Sequence, residues 1–279
     1  MSPGFLTSDL LKGVGIPHAL STRSIGRGYS VGPFSSLNFG NPGDLPPDRR
    51  DPPSNIAANF SLLLSAIGAL GREIVQVHQV HGGEVRVARR GGPTHEPQWH
   101  GNDTKADAIV TDDPGRFLAI RIADCAPVLF ASSDGRIVGI AHAGWRGTVA
   151  GVVANTVDAM RSLGAKEIVA AIGPCIGPSA FEVGPEVAAE FRRAFGEHTP
   201  HVRPRSDASA APDKFLVDLK GSLCEQATRA GVAMVDVMPH CTVNSRGEQG
   251  NPLFFSHRRD KGLTGRMVGV IGPRAEPPP

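Results

Sequence analysis

Along the chain, apolar positions recur with two different periods, and the two sort the sequence into helices and strands. After Ser54, the residues Ile56, Phe60, Leu63, Leu64 and Ile67 follow a helical period and predict a helix. A second stripe starts near Thr148, carries Val149, Val152, Val153, Val157 and Met160, and stops at Gly164. A third helix has Pro185 in its first turn, runs through EVAAEFRRAF and ends at Gly196. The fourth takes Asp218 as its N-cap and carries Leu219, Leu223 and Ala227 before Gly231. Short apolar runs with strand character lie at 74–77, 85–88, 108–111, 117–122, 128–131, 137–141, 168–172, 234–237 and 267–271. Strands followed by helices, with a hairpin among them, predict an α/β fold: a layered sandwich on a mixed sheet.

Polar punctuation divides this pattern without splitting it into separate domains. Residues 41–54 (NPGDLPPDRRDPPS) and 203–213 read as surface loops. One domain is expected over 1–273, followed by a disordered Pro-rich tail at 274–279. A net charge of +2 and an aromatic content of 5% supply neither the basic field nor the stacking platform of a nucleic-acid binder. No stretch approaches the apolar length that spans a bilayer, and Met1 to Ser24 shows no basic leader, so a cytosolic protein is expected. A monomer or small homo-oligomer acting on small molecules fits this composition. The four cysteines form no CxxC pair and read as reduced thiols rather than a disulfide framework or zinc ribbon.

Candidate chemistry concentrates in ADCAPVLFASSDGRIVGIAHAGWRG, residues 123–147. Two apolar strands flank Ser132-Ser133-Asp134-Gly135, a hairpin turn signal. Pairing across Asp134-Gly135 sets His142 opposite Pro127, a diagonal step from Cys125, and a turn one residue earlier sets it opposite Cys125 itself. In either register a thiolate and an imidazole share one face. They could serve as a Cys–His nucleophile pair or as two ligands of zinc or copper. The glycine-flanked start of the next helix, with Arg146 beside it, reads as an anion site suited to phosphate. A third ligand is needed for an open zinc site, and both His78 and His81 stand near a Gly-Gly turn; spacing does not choose between them. His95, His100, His198 and His201 lie in polar stretches and read as solvated. No His-x-His pair occurs, which argues against clustered coppers.

Beyond this stretch, STR (21–23), GPFSSLNFG (32–40), QVHG (79–82), IGPCIG (172–177), FEVG (181–184) and FFSHRRD…TGRM (254–267) recur in a recognisable order. Together with ADC and AHAGWRG they resemble the laccase-domain family, also called YfiH-like or polyphenol oxidoreductase proteins, from about Ser21 to Gly272. The loop Asp44 to Ser54 is longer than that pattern, and the turn Ser24 to Val31 is altered. The resemblance implies a single-domain α/β sandwich, a zinc site on His81, Cys125 and His142, and purine nucleoside phosphorylase activity with possible adenosine deamination. It implies substrate, phosphate or supporting roles for Arg23, Asn38, Gln79, Asp124, Arg146, Cys175 and Arg258. Adenosine, inosine, guanosine, methylthioadenosine and phosphate are then the expected partners. Two other activities compete with this one: a Cys125–His142 hydrolase that trims peptidoglycan precursors, and a copper-dependent polyphenol oxidase.

Overall fold

A computed structural model describes residues 4–23, 28–43, 45–91, 104–206, 213–247 and 250–275. Two sheets face each other, with helices covering their outer sides. The first sheet holds β1 (Phe5–Leu6), β2 (His18–Ser21), β3 (Glu73–Val75), β6 (Arg116–Ile122) and β14 (Met267–Ile271), in the order β1-β2-β14-β6-β3. The second holds β4 (Val85–Ala88), β5 (Ala108–Thr111), β7 (Ala126–Ser132), β8 (Val138–Ala143), β9 (Ile168–Ile172) and β13 (Met234–Val237), in the order β13-β9-β7-β8-β5-β4. Both sheets mix parallel and antiparallel pairs: β3 runs parallel to β6 and β13 to β9, while β7 pairs antiparallel with β8 and β9.

Strands buried on both faces must be apolar throughout, and that is why they read as unbroken runs. On β6, Leu118, Ile120 and Ile122 face inward and meet Leu129 and Ala131 of β7 and Val138 and Ile140 of β8 between the sheets. The opposite face, Phe117 and Ala119 with Val268 and Val270 of β14, packs on Ile56, Phe60, Leu63 and Leu64 of α2 (Pro53–Ala66). Val128 and Phe130 of β7 pack outward on Val153, Val157 and Met160 of α4 (Val152–Ser162) and on Leu223 and Ala227 of α6 (Leu219–Arg229). The expected α/β sandwich is therefore a four-layer one.

The predicted helices fall close to their places. Asp218 caps α6 by accepting from the Gly221 N–H at 3.0 Å, and α5 (Pro185–Phe195) ends on Gly196. The helix expected from Thr148 divides instead into α3 (Trp145–Val149) and α4, because Gly151 takes φ 79° between them. Three features lay outside the pattern. One is α1 (Asp9–Gly13), capped by Ser8; the others are the short β1 and β2 strands and a small sheet of β10 (Glu182–Val183), β11 (Val202–Pro204) and β12 (Phe215–Val217).

Several loop expectations change. Within 41–54, Asp51 is buried and takes hydrogen bonds from Ser30, Asn38 and Asn55. His201 is not solvated: it is buried and meets Glu225 at 2.6 Å. Arg274, expected in a disordered tail, packs back onto the fold through Gly135 O and Val14 O. The expectations for His95, His100 and residues 276–279 lie outside the described residues. Among the described residues, no helix is long and apolar enough to cross a membrane.

Candidate metal centre

The chain crosses from one sheet to the other twice at the same end of the sandwich, and each crossing delivers a ligand. β6 ends at Ile122 in the first sheet and β7 begins at Ala126 in the second, so Cys125 sits in the crossing. β3 and β4 likewise belong to different sheets, and His81 lies between them. His142 comes from the last turn of β8, where the ladder sets it opposite Pro127, the first of the two expected registers. Ligand atoms of His81, Cys125 and His142 all lie within 4.8 Å of one another. His142 is buried, Cys125 half-buried and His81 exposed, so the cluster is open on one side.

Two of these crossings need strained backbone. Asp124 stands at φ 87° and His81 at φ 62°, in the left-handed region that costs a non-glycine residue energy unless its surroundings hold it. Asp124 is held by its side chain: Oδ1 accepts from Thr242 Oγ1 at 2.5 Å and Oδ2 from the Arg258 N–H at 2.7 Å. The His81 turn is held by Asp107, a fully buried carboxylate at the head of β5 that no sequence motif singled out. Its oxygens accept from the N–H groups of Val80 (3.1 Å), His81 (2.9 Å) and Gly82 (2.6 Å). The same carboxylate meets His142 Nδ1 at 2.8 Å, and its backbone carbonyl accepts from the His142 N–H at 2.7 Å. A carboxylate on Nδ1 keeps the proton there and leaves Nε2 to act as a ligand.

Gly144 is required by closeness. A Cβ there would lie 2.8 Å from Cys125 Sγ and 3.2 Å from His81 Cδ2. Burial opposes ionisation of Cys125, but the neighbouring His142 and His81 outweigh it and bring the thiol down to about 6. Burial equally opposes charge on His142, while Cys125 and Asp107 raise it to about 9. Without a metal, the pair is therefore a thiolate beside an imidazolium.

The centre opens into a cavity of about 780 Å³. Gln79, Asp124 and Arg258 line it, as do His78, Trp145, Ile176, Phe181, His257, Arg50, Arg121 and Arg266. The other expected site residues are not among its lining. Arg23 lies over the Phe255 ring at 4.8 Å and donates to Ser35 O; buried Asn38 joins Asp51 to the Arg266 backbone. Cys175 is fully buried, which pushes its thiol up to about 12. Arg146 is exposed, lies over the Trp145 ring at 4.6 Å and stands at the start of the five-residue α3, outside the cavity lining. Gln79 does not point a free amide at the cavity: it clamps Arg121, donating to its carbonyl at 2.7 Å and accepting from its N–H at 2.9 Å.

A sandwich of this kind is a fold that known structures share. A family model described as multi-copper polyphenol oxidoreductase laccase matches residues 17–274. The chain belongs to this laccase-type, YfiH-like family. Similar relatives include a protein of Deinococcus radiodurans named purine nucleoside phosphorylase, 38% identical over 94% of this chain and 91% of its own length. The purine nucleoside phosphorylase YfiH of Escherichia coli is 38% identical over 91% of this chain and 92% of its own length. Among solved structures, YlmD from Geobacillus stearothermophilus has a TM-score of 0.81 at 32% identity, covering 99% of this chain and 98% of that one.

Proposed function

We propose that the protein is a zinc-dependent purine nucleoside phosphorylase of the cytosol, built as one domain over 1–273. Adenosine, inosine, guanosine and methylthioadenosine are its substrates with phosphate, and the products are the free base and the 1-phosphate of the sugar. One observation carries this reading: the His81, Cys125 and His142 cluster opens into a cavity lined, among the described residues, by four arginines and one carboxylate, Asp124, whose oxygens are both engaged. Phosphorolysis brings an anion against C1′ of the sugar and sends the base away with the electron pair of the C1′–N9 bond, so a positive cavity assists both. The names of the relatives point the same way.

Two imidazoles and a thiolate with one side open fit a three-ligand zinc, which when bound would supply Lewis acidity at the cavity floor. Copper accepts the same donors. The protein's own groups do the rest. Asp107 holds the His142 proton on Nδ1, Asp124 fixes the turn that presents Cys125, and Trp145, Ile176 and Phe181 give an apolar wall for the base. Adenosine deamination is a further activity of the same open centre.

The test is adenosine incubated with purified protein, with and without phosphate, and the products separated by chromatography. Adenine and ribose 1-phosphate should appear only with phosphate; inosine formed in either case would report deamination. No adenine in the presence of phosphate would sink the phosphorylase reading.

A second reading has its own observation: Asp107, His142 and Cys125 stand in the relation of orienting acid, base and nucleophile. That arrangement suits a hydrolase acting on peptidoglycan precursors, whose activity should survive chelation of the metal. Phenol oxidation should be weak and dependent on added copper. Among the described residues, one three-donor cluster is present, which is too few donors for the several coppers that reduce dioxygen.

A further inference from the structure

Arg121 is a cavity residue that neither the metal centre nor the sequence motifs explain. It follows Phe117 and Ala119 on the face of β6 that packs toward α2, and at its position that face leaves the core and becomes cavity wall. The Gln79 clamp on both its N–H and its carbonyl fixes the strand end, four residues before Cys125. The residue is half-buried and its side chain lines the cavity, yet it makes no hydrogen bond or ion pair with the described residues.

The other three arginines that line the cavity among the described residues are tied to backbone carbonyls. Arg50 donates to Leu45 O and Gly43 O, Arg258 to Glu182 O, and Arg266 to Thr264 O and Gly265 O. Arg121 and Arg266 meet over Gly40, where a Cβ would lie 2.8 Å from Arg121 Cδ and 3.6 Å from Arg266 Cγ. The glycine that ends the GPFSSLNFG motif therefore lets two guanidinium stems cross the same point. A guanidinium has five N–H donors to satisfy, and among the described residues the one carboxylate of the lining, Asp124, is engaged elsewhere. Burial weakens the hold of Arg121 on its proton, but a guanidinium stays charged.

We propose that Arg121, with Arg266 beside it, is a phosphate oxyanion subsite, the Arg121 fork taking two oxygens of one phosphate group. Its occupant is inorganic phosphate or the phosphate ester of a nucleotide. Both present the planar pair of oxygens that a guanidinium matches and an ammonium does not. The first source rests on the phosphorylase reading; the second does not.

The test uses the full-length, metal-loaded protein. Inorganic phosphate and adenosine 5′-monophosphate are each titrated by calorimetry into wild type, Arg121→Met and Arg121→Lys. Wild type should bind at least one probe, Arg121→Met should bind it roughly ten- to hundredfold more weakly, and Arg121→Lys should recover part of the loss. Metal content and circular dichroism should be unchanged. Dependence on Arg121 for phosphate alone identifies the co-substrate as the occupant, and for the nucleotide alone the ester. Should the variants fail to fold, wild-type protein still decides the matter: either probe should protect Arg121 from phenylglyoxal, mapped by peptide mass spectrometry. The subsite is overturned if wild type binds neither anion, if Arg121→Met binds both as tightly, or if Arg121 is labelled equally fast with and without them. A failed phosphorylase reading looks different: no adenine is formed, while anion binding still depends on Arg121.

Discussion

Asp107 couples two ligands that lie 61 positions apart in the chain, since one carboxylate holds both the His81 turn and the His142 ring. Replacing it with Asn keeps the shape, but puts an amide with a single acceptor oxygen before three backbone N–H groups. We expect Asp107→Asn to weaken metal binding roughly ten- to hundredfold by chelator competition. Thermal unfolding should show a loss of about 1–3 kcal/mol, because buried donors lose their partner. Cys125→Ala removes a ligand itself and should leave less than stoichiometric metal by elemental analysis; full retention would take Cys125 out of the centre. In the sequence both Asp107 and Arg121 are visible as charges in or beside apolar runs, ADAIV and RFLAIRI. Their partners are not visible there. The Asp107–His142 contact spans 35 positions and the Gln79–Arg121 clamp 42, and such distances depend on how the sheets are paired, not on local spacing.

At the scale of elements, strands such as β6, β7, β8 and β9 were legible because burial on both faces writes them as apolar runs, whereas β2, with a His and a Ser among its four residues, was not. Those of two and three residues in the small sheet were not, since so few positions show no period. The break between α3 and α4 was hidden for a different reason: Gly151 interrupts a stripe whose apolar spacing continues across it. The hairpin register was one of two that the turn residues left open, and the ladder takes the one centred on Asp134-Gly135, with Gly135 at φ 74°. The turn from β8 into α3 makes its own prediction. A methyl group on Gly144 cannot avoid Cys125 Sγ and the His81 ring, so Gly144→Ala should cost about 1–3 kcal/mol by overpacking. It should also lower metal occupancy. Arg146, two residues further on, faces solvent over Trp145, so Arg146→Ala should leave the phosphate dependence within about twofold, whereas a large rise would make the helix start an anion site.

For the whole molecule, the consequence of placing the centre where two sheets exchange chain is that burial, a thiol and an imidazole are forced together before any metal arrives. In the metal-free protein Cys125 titrates near 6 instead of 9.0, and His142 near 9 instead of 6.5. The depressed thiol contributes stability that is full above its unfolded value and lost as pH falls through about 6. The raised imidazole contributes stability that is full below its unfolded value and lost as pH rises through about 9. Between 6.5 and 9 the folded pair holds one proton, on His142, and the unfolded pair holds one, on Cys125, so these two slopes cancel. Metal binding breaks that balance, because it needs the thiolate and the neutral imidazole together. The proton on His142 must leave, so metal affinity should rise about tenfold per pH unit over this window and level off above it. Chelator competition at several pH values, beside thermal melts of the metal-free protein, measures both halves of the expectation. Affinity that stays constant from pH 6.5 to 9 would mean that His142 carries no proton to displace, and that the imidazole and thiolate are not coupled as the structure places them.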